Sequence, residues 1–267
     1  MDNPFISSIN SLLPEPHASL LNGIIFGYKA QLSPALYQSL VDTGTLHIIA
    51  LSGMNITILA SLTANATLFL GRRLSSLVTI GLIVLFVMLV GMSPTVVRAA
   101  IMGSMSLLAI YFGRQYQAFL ALVLTSLIIL LFDFDLLKSI SFQLSFLATL
   151  GLILANKKGK RYEKNSSFQK LIYIIKENFR LTLAAQLFTL PVILYYFHRV
   201  SLKSPIANLL IEWSIQPIMV LGLTASVLGY IWLPAGFIPA WLAWVSLTYL
   251  IAVIRALAGI PGASFEF

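Results

Sequence analysis

Eight long apolar stretches constrain this chain more than any other feature. They lie near residues 46–70, 75–92, 95–112, 117–132, 139–155, 180–197, 205–231 and 237–258. A helix needs about 20 apolar residues to cross a bilayer, so the shorter stretches require local thinning of the membrane. Only 10% of the residues are charged, against about 25% in soluble domains. The sequence therefore excludes a water-soluble enzyme and predicts an all-α integral membrane protein, a polytopic bundle of about eight transmembrane helices (about seven to nine).

Shorter segments flank these stretches. We interpret residues 1–43 as an extracytoplasmic segment with short interfacial helices, because the apolar part at 17–28 is too short to span. Residues 44–260 then form the membrane domain and 261–267 a tail. In 165–179, apolar residues recur at helical spacing with lysines between them, which predicts an amphipathic helix on the membrane surface.

The basic residues predict an orientation. The loops between the stretches lie alternately on the two sides of the membrane. The loops on one side contain eleven lysines and arginines, mostly at 157–180, and the loops on the other side contain four. Lys and Arg accumulate in cytoplasmic loops. The side with eleven should therefore be cytoplasmic.

Several kinds of chemistry are disfavoured. The chain has no cysteine, so disulfides and thiolate sites are excluded, and its three histidines and nine carboxylates predict no metal site or cofactor. An intramembrane hydrolase would need a nucleophile beside a base. Ser52 and His47 lie about 140° apart on one helix, which disfavours that pair. We predict that the chain is not an enzyme, and keep a passive scaffold as a further alternative.

Polar residues inside the stretches are the candidate functional residues, since such groups are costly in a bilayer and usually face water or a partner. They are His47, Ser52, Asn55, Arg98, Gln143, Gln186, Asn208 and Glu212. On a continuous first helix, His47, Ser52, Asn55 and Asn65 would share an arc of about 140°. That arc is either a water-lined wall or a surface of hydrogen bonds between packed helices.

Arg98 stands out among them. It follows Pro94 closely and so lies in the first turn of its helix, where the macrodipole disfavours a cation. We expect an anion to compensate, either Glu212 or a passing phosphate. The alternative is an arginine that reaches the membrane surface.

Three later stretches carry polar lines at helical spacing. They are Ser141, Ser145 and Thr149; Thr182, Gln186 and Thr189; and Asn208, Glu212 and Gln216. Each alone can serve to hold helices together. Three together favour a hydrated interior, as in a channel or transporter for a polar solute.

Five short motifs carry a family resemblance. In order, they are HIIALSGMNI at 47–56, GMSPTVVRAA at 91–100, FQLSF at 142–146, AAQLFTLP at 184–191 and ANLL at 207–210. Together they resemble the membrane "competence" domain of the ComEC family, the inner-membrane channel for DNA uptake in natural transformation. Two positions depart from the family pattern: Asn55 stands where a second histidine is usual, and Gly27-Tyr28 where Gly-Asp is usual.

The resemblance implies a multi-pass protein of the bacterial plasma membrane that conducts single-stranded DNA into the cytoplasm. It also implies an external DNA-delivery protein and a cytoplasmic helicase-type motor as partners, and a homo-oligomer is a further option. Family members commonly add an OB-fold segment and a metallo-β-lactamase-like nuclease domain. Neither pattern occurs in these residues, so we expect no nuclease activity from them. The alternatives are a transporter of another polar or anionic solute, or a degenerate, non-conducting copy.

Overall fold

A computed structural model gives the fold and describes residues 3–28, 32–49, 53–155, 167–197, 199–201, 203–260 and 264–266. These residues are almost entirely helical. The α-helices within them are α1 (Pro4–Leu12), α2 (His17–Phe26), α3 (Pro34–Asp42), α4 (Gly53–Ala66), α5 (Arg72–Val90), α6 (Pro94–Tyr111), α7 (Ala118–Phe132), α8 (Ile140–Ala155), α9 (Ser167–Phe197), α10 (Ser204–Ile231) and α11 (Leu233–Ala258). Two short strands, β1 (Arg199–Ser201) and β2 (Ser264–Glu266), pair antiparallel.

Five of these helices are long and apolar enough to cross a membrane. They are α5, α6, the part of α9 from Lys176 to Tyr196, α10 and α11. Helices α7 and α8 are apolar but have 15 and 16 residues. The prediction of a helical, multi-pass membrane bundle is confirmed.

The first apolar stretch is less regular than the sequence predicts. In place of one helix over 46–70 the structure has a 3₁₀ turn at Leu46–Ile48, the 14-residue helix α4 and a second 3₁₀ turn at Leu68–Leu70. Ser52 lies outside the described residues. A single helical arc through His47 is therefore wrong, because the 3₁₀ turn and α4 do not share one helical phase.

The predicted surface helix near 165–179 is not a separate element in the described part of the chain. Helix α9 runs unbroken from Ser167 to Phe197. Its sequence contains no glycine or proline before Pro191, so nothing local ends the helix between the amphipathic and the apolar part.

Proline and serine set several helix starts. Ser33 and Ser93 each precede a proline in the first turn, and each side-chain oxygen accepts from the backbone N–H three residues on. Ser33 and Ser93 are thus the N-caps of α3 and α6. Between α5 and α6, Gly91 adopts φ 104°, a conformation open mainly to glycine.

The larger buried core joins the N-terminal helices to α10 and α11. Helix α2 is buried from Ala18 to Phe26, although the sequence predicts a short interfacial or re-entrant piece there. A Cβ at Gly222 of α10 would lie 2.5 Å from Leu21 Cδ1, so the side chains of α2 pack directly against α10 at this glycine. A second, smaller core joins α4, α5 and α6 around Ile56, Ile83 and Phe86. The extracytoplasmic side of residues 1–43 stays a prediction.

Candidate functional site

Five helices form a closed circuit of contacts, which we call the helix ring. Helix α4 packs against α6 and α10, α6 also against α8, α8 against α9, and α9 against α10. All the predicted site residues on described helices belong to this ring. His47 lies in the 3₁₀ turn that precedes α4 in the sequence.

Most of these residues lie near one end of the ring. Helices joined by short connections run in alternate directions, so α4, α6, α8 and α10 begin at the same end. Asn55, Arg98, Gln143 and Asn208 each fall within the first five residues of their helices. Side chains from different parts of the sequence are thus collected in one layer, which we call the polar end of the ring.

Arg98 is a buried charged residue of this layer, 7% exposed. Its Nε donates to Ser145 Oγ of α8 at 2.7 Å, and Nη1 donates to Thr149 Oγ1. Thr149 Oγ1 itself donates to the Ser145 carbonyl at 2.9 Å. The hydroxyl line of α8 therefore fixes the guanidinium without neutralising it.

The expected anionic partner is not Glu212. Among the described residues, ion pairs within 4.0 Å join Lys138 to Asp135 and Arg180 to Glu177, and Arg98 takes part in neither. The side chain of Arg98 extends toward α8, whereas Glu212 is exposed on α10. A passing phosphate stays a prediction.

A second polar cluster links the predicted residues Gln186, Asn208 and His47 through Ser204 and the Gly44 carbonyl. Gln186 Nε2 of α9 donates to Ser204 Oγ at 2.9 Å, and Ser204 Oγ lies 3.5 Å from Asn208 Nδ2. Ser204 Oγ also lies 3.5 Å from the Gly44 carbonyl oxygen, which His47 Nδ1 approaches to 3.3 Å. Asn208 Oδ1 is buried without a hydrogen-bond partner. These contacts close the ring between α9 and α10.

Glu212 lines a groove of about 300 Å³ where α4, α9 and α10 meet. Asn178 and Gln216 are its other polar residues, and Met54, Ile58, Leu209 and Trp213 complete its lining. The polar line of α10 thus continues from the Asn208 cluster into a groove between ring helices. In the described part of the chain, no three His, Asp or Glu side chains gather as a metal site requires.

Comparison with known proteins assigns a family. The family model described as "Competence protein" matches residues 24–267. This chain belongs to the competence protein family. One member, the ComE operon protein 3 of Bacillus subtilis (strain 168), is 30% identical over 207 residues, which cover 77% of this chain and 26% of that protein. The chain thus spans about a quarter of the length of that relative. No solved structure matches.

Two predicted site residues of this chain mainly bind its own backbone. Asn55 is 2% exposed, and its Nδ2 donates to the Ile24 carbonyl of α2 at 2.8 Å. Gln143 Nε2 donates to the Leu137 carbonyl at 2.8 Å, in the turn before α8. Asn65 is exposed at the far end of α4, so it does not share the environment of Asn55.

The sequence patterns do not identify Ser204 or Gly53 as part of this site. Ser204 lies four residues before Asn208, so helical spacing from the polar line of α10 could have found it. Gly53 opens α4, and a Cβ there would lie 3.4 Å from Arg98 Nη2 and 3.5 Å from Ala99 Cβ. No sequence signal identifies that approach, since it depends on how α4 packs against α6.

Proposed function

We propose that this chain is a membrane conduit through which single-stranded DNA passes into the cytoplasm during natural transformation, in the plasma membrane of a bacterium. The observation that carries the proposal is the polar end of the helix ring: separate membrane helices of a competence-family protein gather their polar side chains in one layer. Membership of the family supports DNA as the transported molecule. The bilayer and the strand are then its immediate partners.

The chemistry of this layer suits passage rather than tight binding. Conduction requires contacts that are weak and repeated, because strong clamps would hold the strand in place. The ring offers hydroxyls, amides and one buried guanidinium at this end. We propose that Arg98, Gln186, Asn208 and Glu212 line the path. In the same proposal His47, Asn55 and Gln143 shape it, by their positions in the turn and the helix starts around the ring. Ser52 lies outside the described residues and stays a prediction from the sequence.

The proposal leaves the driving force to other proteins. No phosphate-binding loop with the Gly-rich, Lys and Ser/Thr pattern occurs in the sequence. We therefore expect a helicase-type motor at the cytoplasmic face and a DNA-delivery protein outside.

A transformation assay tests the proposal. The chain is expressed in a competent host that lacks its own channel, with and without separately supplied OB-fold and nuclease domains, and labelled DNA in the cytoplasm is measured. We expect uptake only when this chain is present, and reduced uptake with Arg98→Ala at normal membrane levels. The matched control is Lys138→Ala, which removes an exposed charge and should leave uptake unchanged.

Two outcomes would contradict the conduit. No uptake in any combination, with insertion confirmed, would favour a non-conducting copy, and the departures at Asn55 and Gly27-Tyr28 would then be the first positions to restore. Transport of another anion in place of DNA would favour a solute transporter of the same architecture.

A further inference from the structure

Helix α10 presents two faces of different character. Ile211, Ile215 and Ile218 lie in the core that α10 shares with the N-terminal helices and α11. Successive residues of a helix advance by about 100°, so Glu212 and Gln216 lie about 100° and 140° around the helix from Ile211. The polar line of α10 therefore faces away from this core and toward α4 and α9, its two neighbours in the helix ring.

The groove between α4, α9 and α10 contains polar side chains that the protein leaves unused. They are Asn178, Glu212 and Gln216. Within the described part of the chain, no hydrogen bond or ion pair engages any of the three. The carboxylate can only accept hydrogen bonds, whereas each amide both donates and accepts. The groove has about 300 Å³ of space, which is at the lower end of the range for small-molecule pockets and gives room for one ring system.

An indole ring forms one edge of this groove. Trp213 is 62% exposed, and its ring centre lies 5.0 Å from that of Tyr249 on α11. Tyr249 Oη donates to the Leu210 carbonyl of α10 at 3.0 Å, which fixes the phenol beside the indole. Aromatic side chains are the platforms on which the bases of single strands stack. Trp213 is thus a supported platform next to unused hydrogen-bonding groups.

This combination suits a nucleobase better than a phosphate. The Glu212 carboxylate repels a phosphate group, and among the described residues no lysine or arginine lines the groove. An unstacked base is recognised by stacking on an aromatic ring and by hydrogen bonds to its edge. Guanine carries two adjacent N–H donors on that edge, which match the two oxygens of a carboxylate. Thymine presents one N–H between two carbonyl oxygens, so a carboxylate suits thymine least.

We propose that the groove receives one unstacked base of a single strand, which stacks on Trp213 and donates its edge N–H groups to the Glu212 carboxylate. The inference rests on the proposed function, which supplies single-stranded DNA. It adds that the protein contacts the bases of the strand and binds guanine in preference to thymine. One base held at a time is a contact weak enough to let the strand move on.

The test measures binding of two fluorescent oligonucleotides of equal length to the full chain in a maltoside detergent. One is an oligothymidylate, and the other has isolated guanines among its thymines. We expect wild type to bind the guanine oligomer about fivefold more tightly, the lower end of what a bidentate contact to a base provides. Glu212→Gln should reduce this preference below about twofold, because an amide cannot accept both N–H groups. Loss of a negative charge strengthens binding of every strand, so the ratio of the two affinities is the readout.

Two controls isolate the carboxylate. Asp135→Asn also removes a negative charge, from an exposed side chain outside the groove, and should leave the ratio as in wild type. A change of ligand avoids any folding defect in a variant. Replacing each guanine by hypoxanthine, which lacks the amino group, should lower the preference of wild type and leave Glu212→Gln unaffected.

Trp213→Leu removes the stacking platform. We expect both oligomers to bind about fivefold more weakly or worse, because stacking of one base on an aromatic side chain is worth at least that much. The matched control is Trp241→Leu. Trp241 is 51% exposed and also contacts an aromatic ring, that of Trp244 at 5.7 Å, but it does not line the groove. Its loss should change binding by less than about twofold, as at positions outside a binding hot spot.

Several results would overturn the base site: equal affinity of wild type for the two oligomers, failure to bind either, an unchanged preference in Glu212→Gln, or equal weakening by the two tryptophan substitutions. A preference that depends on Glu212, without uptake in cells, would reject the conduit and keep the site. Uptake in cells without this preference would reject the site and keep the conduit.

Discussion

At the scale of single residues, the hydroxyls of α8 decide how Arg98 can act. Ser145 is 9% exposed and accepts from Nε at 2.7 Å, while Ser141, one turn earlier on the same line, is exposed. Hydrogen bonds to charged groups are stronger than neutral ones, and a buried donor that loses its acceptor retains the full cost of its desolvation. The Ser145 hydroxyl therefore positions the Arg98 guanidinium, whereas Ser141 has no such role.

We predict that Ser145→Ala lowers the free energy of unfolding by about 1–3 kcal/mol, the cost of an unsatisfied buried group. Ser141→Ala should change it by less than about 0.5 kcal/mol, as is usual for exposed positions. Titration with a denaturing detergent, followed by helical circular dichroism, measures both. Equal effects of the two substitutions would mean that the bond to Arg98 contributes no net stability.

The sequence identifies the members of this site better than their pairings. Helical spacing gives the Ser145–Thr149 line, and proline gives the position of Arg98 in its helix. Their contact links residues 47 positions apart, and no local pattern encodes which helices become neighbours. Glu212 was the natural partner by charge alone, but the direction of the Arg98 side chain depends on the packing of α6 against α8.

At the scale of helices, small residues set how tightly the ring closes. A Cβ at Gly151 of α8 would lie 2.8 Å from the Ala184 carbonyl oxygen of α9 and 3.0 Å from Phe188 Cδ2. The Ala184 carbonyl oxygen belongs to the backbone and cannot rotate away from an added Cβ. Close approach through small residues is a common way for helices to pack in membranes, so Gly151 fixes the spacing between α8 and α9.

We predict that Gly151→Ala forces α8 and α9 apart and lowers the free energy of unfolding by about 1–3 kcal/mol, as overpacking does. Because α8 carries the hydroxyls that hold Arg98, DNA uptake should fall as well. Gly81→Ala in α5 is the control: among the described residues, no atom outside the neighbouring backbone of α5 lies within 4 Å of its added Cβ, so stability should be unchanged or slightly raised. Detergent unfolding and the transformation assay give the two readouts. Wild-type stability and uptake in Gly151→Ala would show that the interface between α8 and α9 accommodates a methyl group at little cost.

Helix existence was predictable from hydropathy, and helix boundaries were less so. The long apolar stretches of α5, α6, α10 and α11 appear near their predicted positions because length and composition alone determine them. The stretch at 46–70 was misjudged, since apolar composition does not distinguish one long helix from a short helix flanked by 3₁₀ turns. Burial of α2 was also beyond the sequence: a ten-residue apolar helix fits a membrane surface as well as a protein core.

At the scale of the whole molecule, the distribution of charge predicts which way the polar end of the ring faces. The loop between α6 and α7 lies on the side with eleven basic residues. The loop between α7 and α8 lies on the side with four. Helix α8 begins at the second of these loops, as does the polar end of the ring. The polar end should therefore face outside, where an incoming strand would meet Arg98 first.

Single cysteines at the two ends of α7 test this orientation, and the chain has no native cysteine to interfere. Gln115 and Asp135 are both exposed, and replacing them removes none of the 17 basic residues that set topology. We predict that a membrane-impermeant maleimide labels Asp135→Cys in intact cells and Gln115→Cys only after permeabilisation. This requires the 15-residue helix α7 to cross a locally thinned bilayer.

Labelling of both cysteines in intact cells would mean that α7 does not span the membrane. The reverse pattern would place Arg98 at the cytoplasmic mouth, where its charge would act on a strand leaving the conduit and no longer on one entering it.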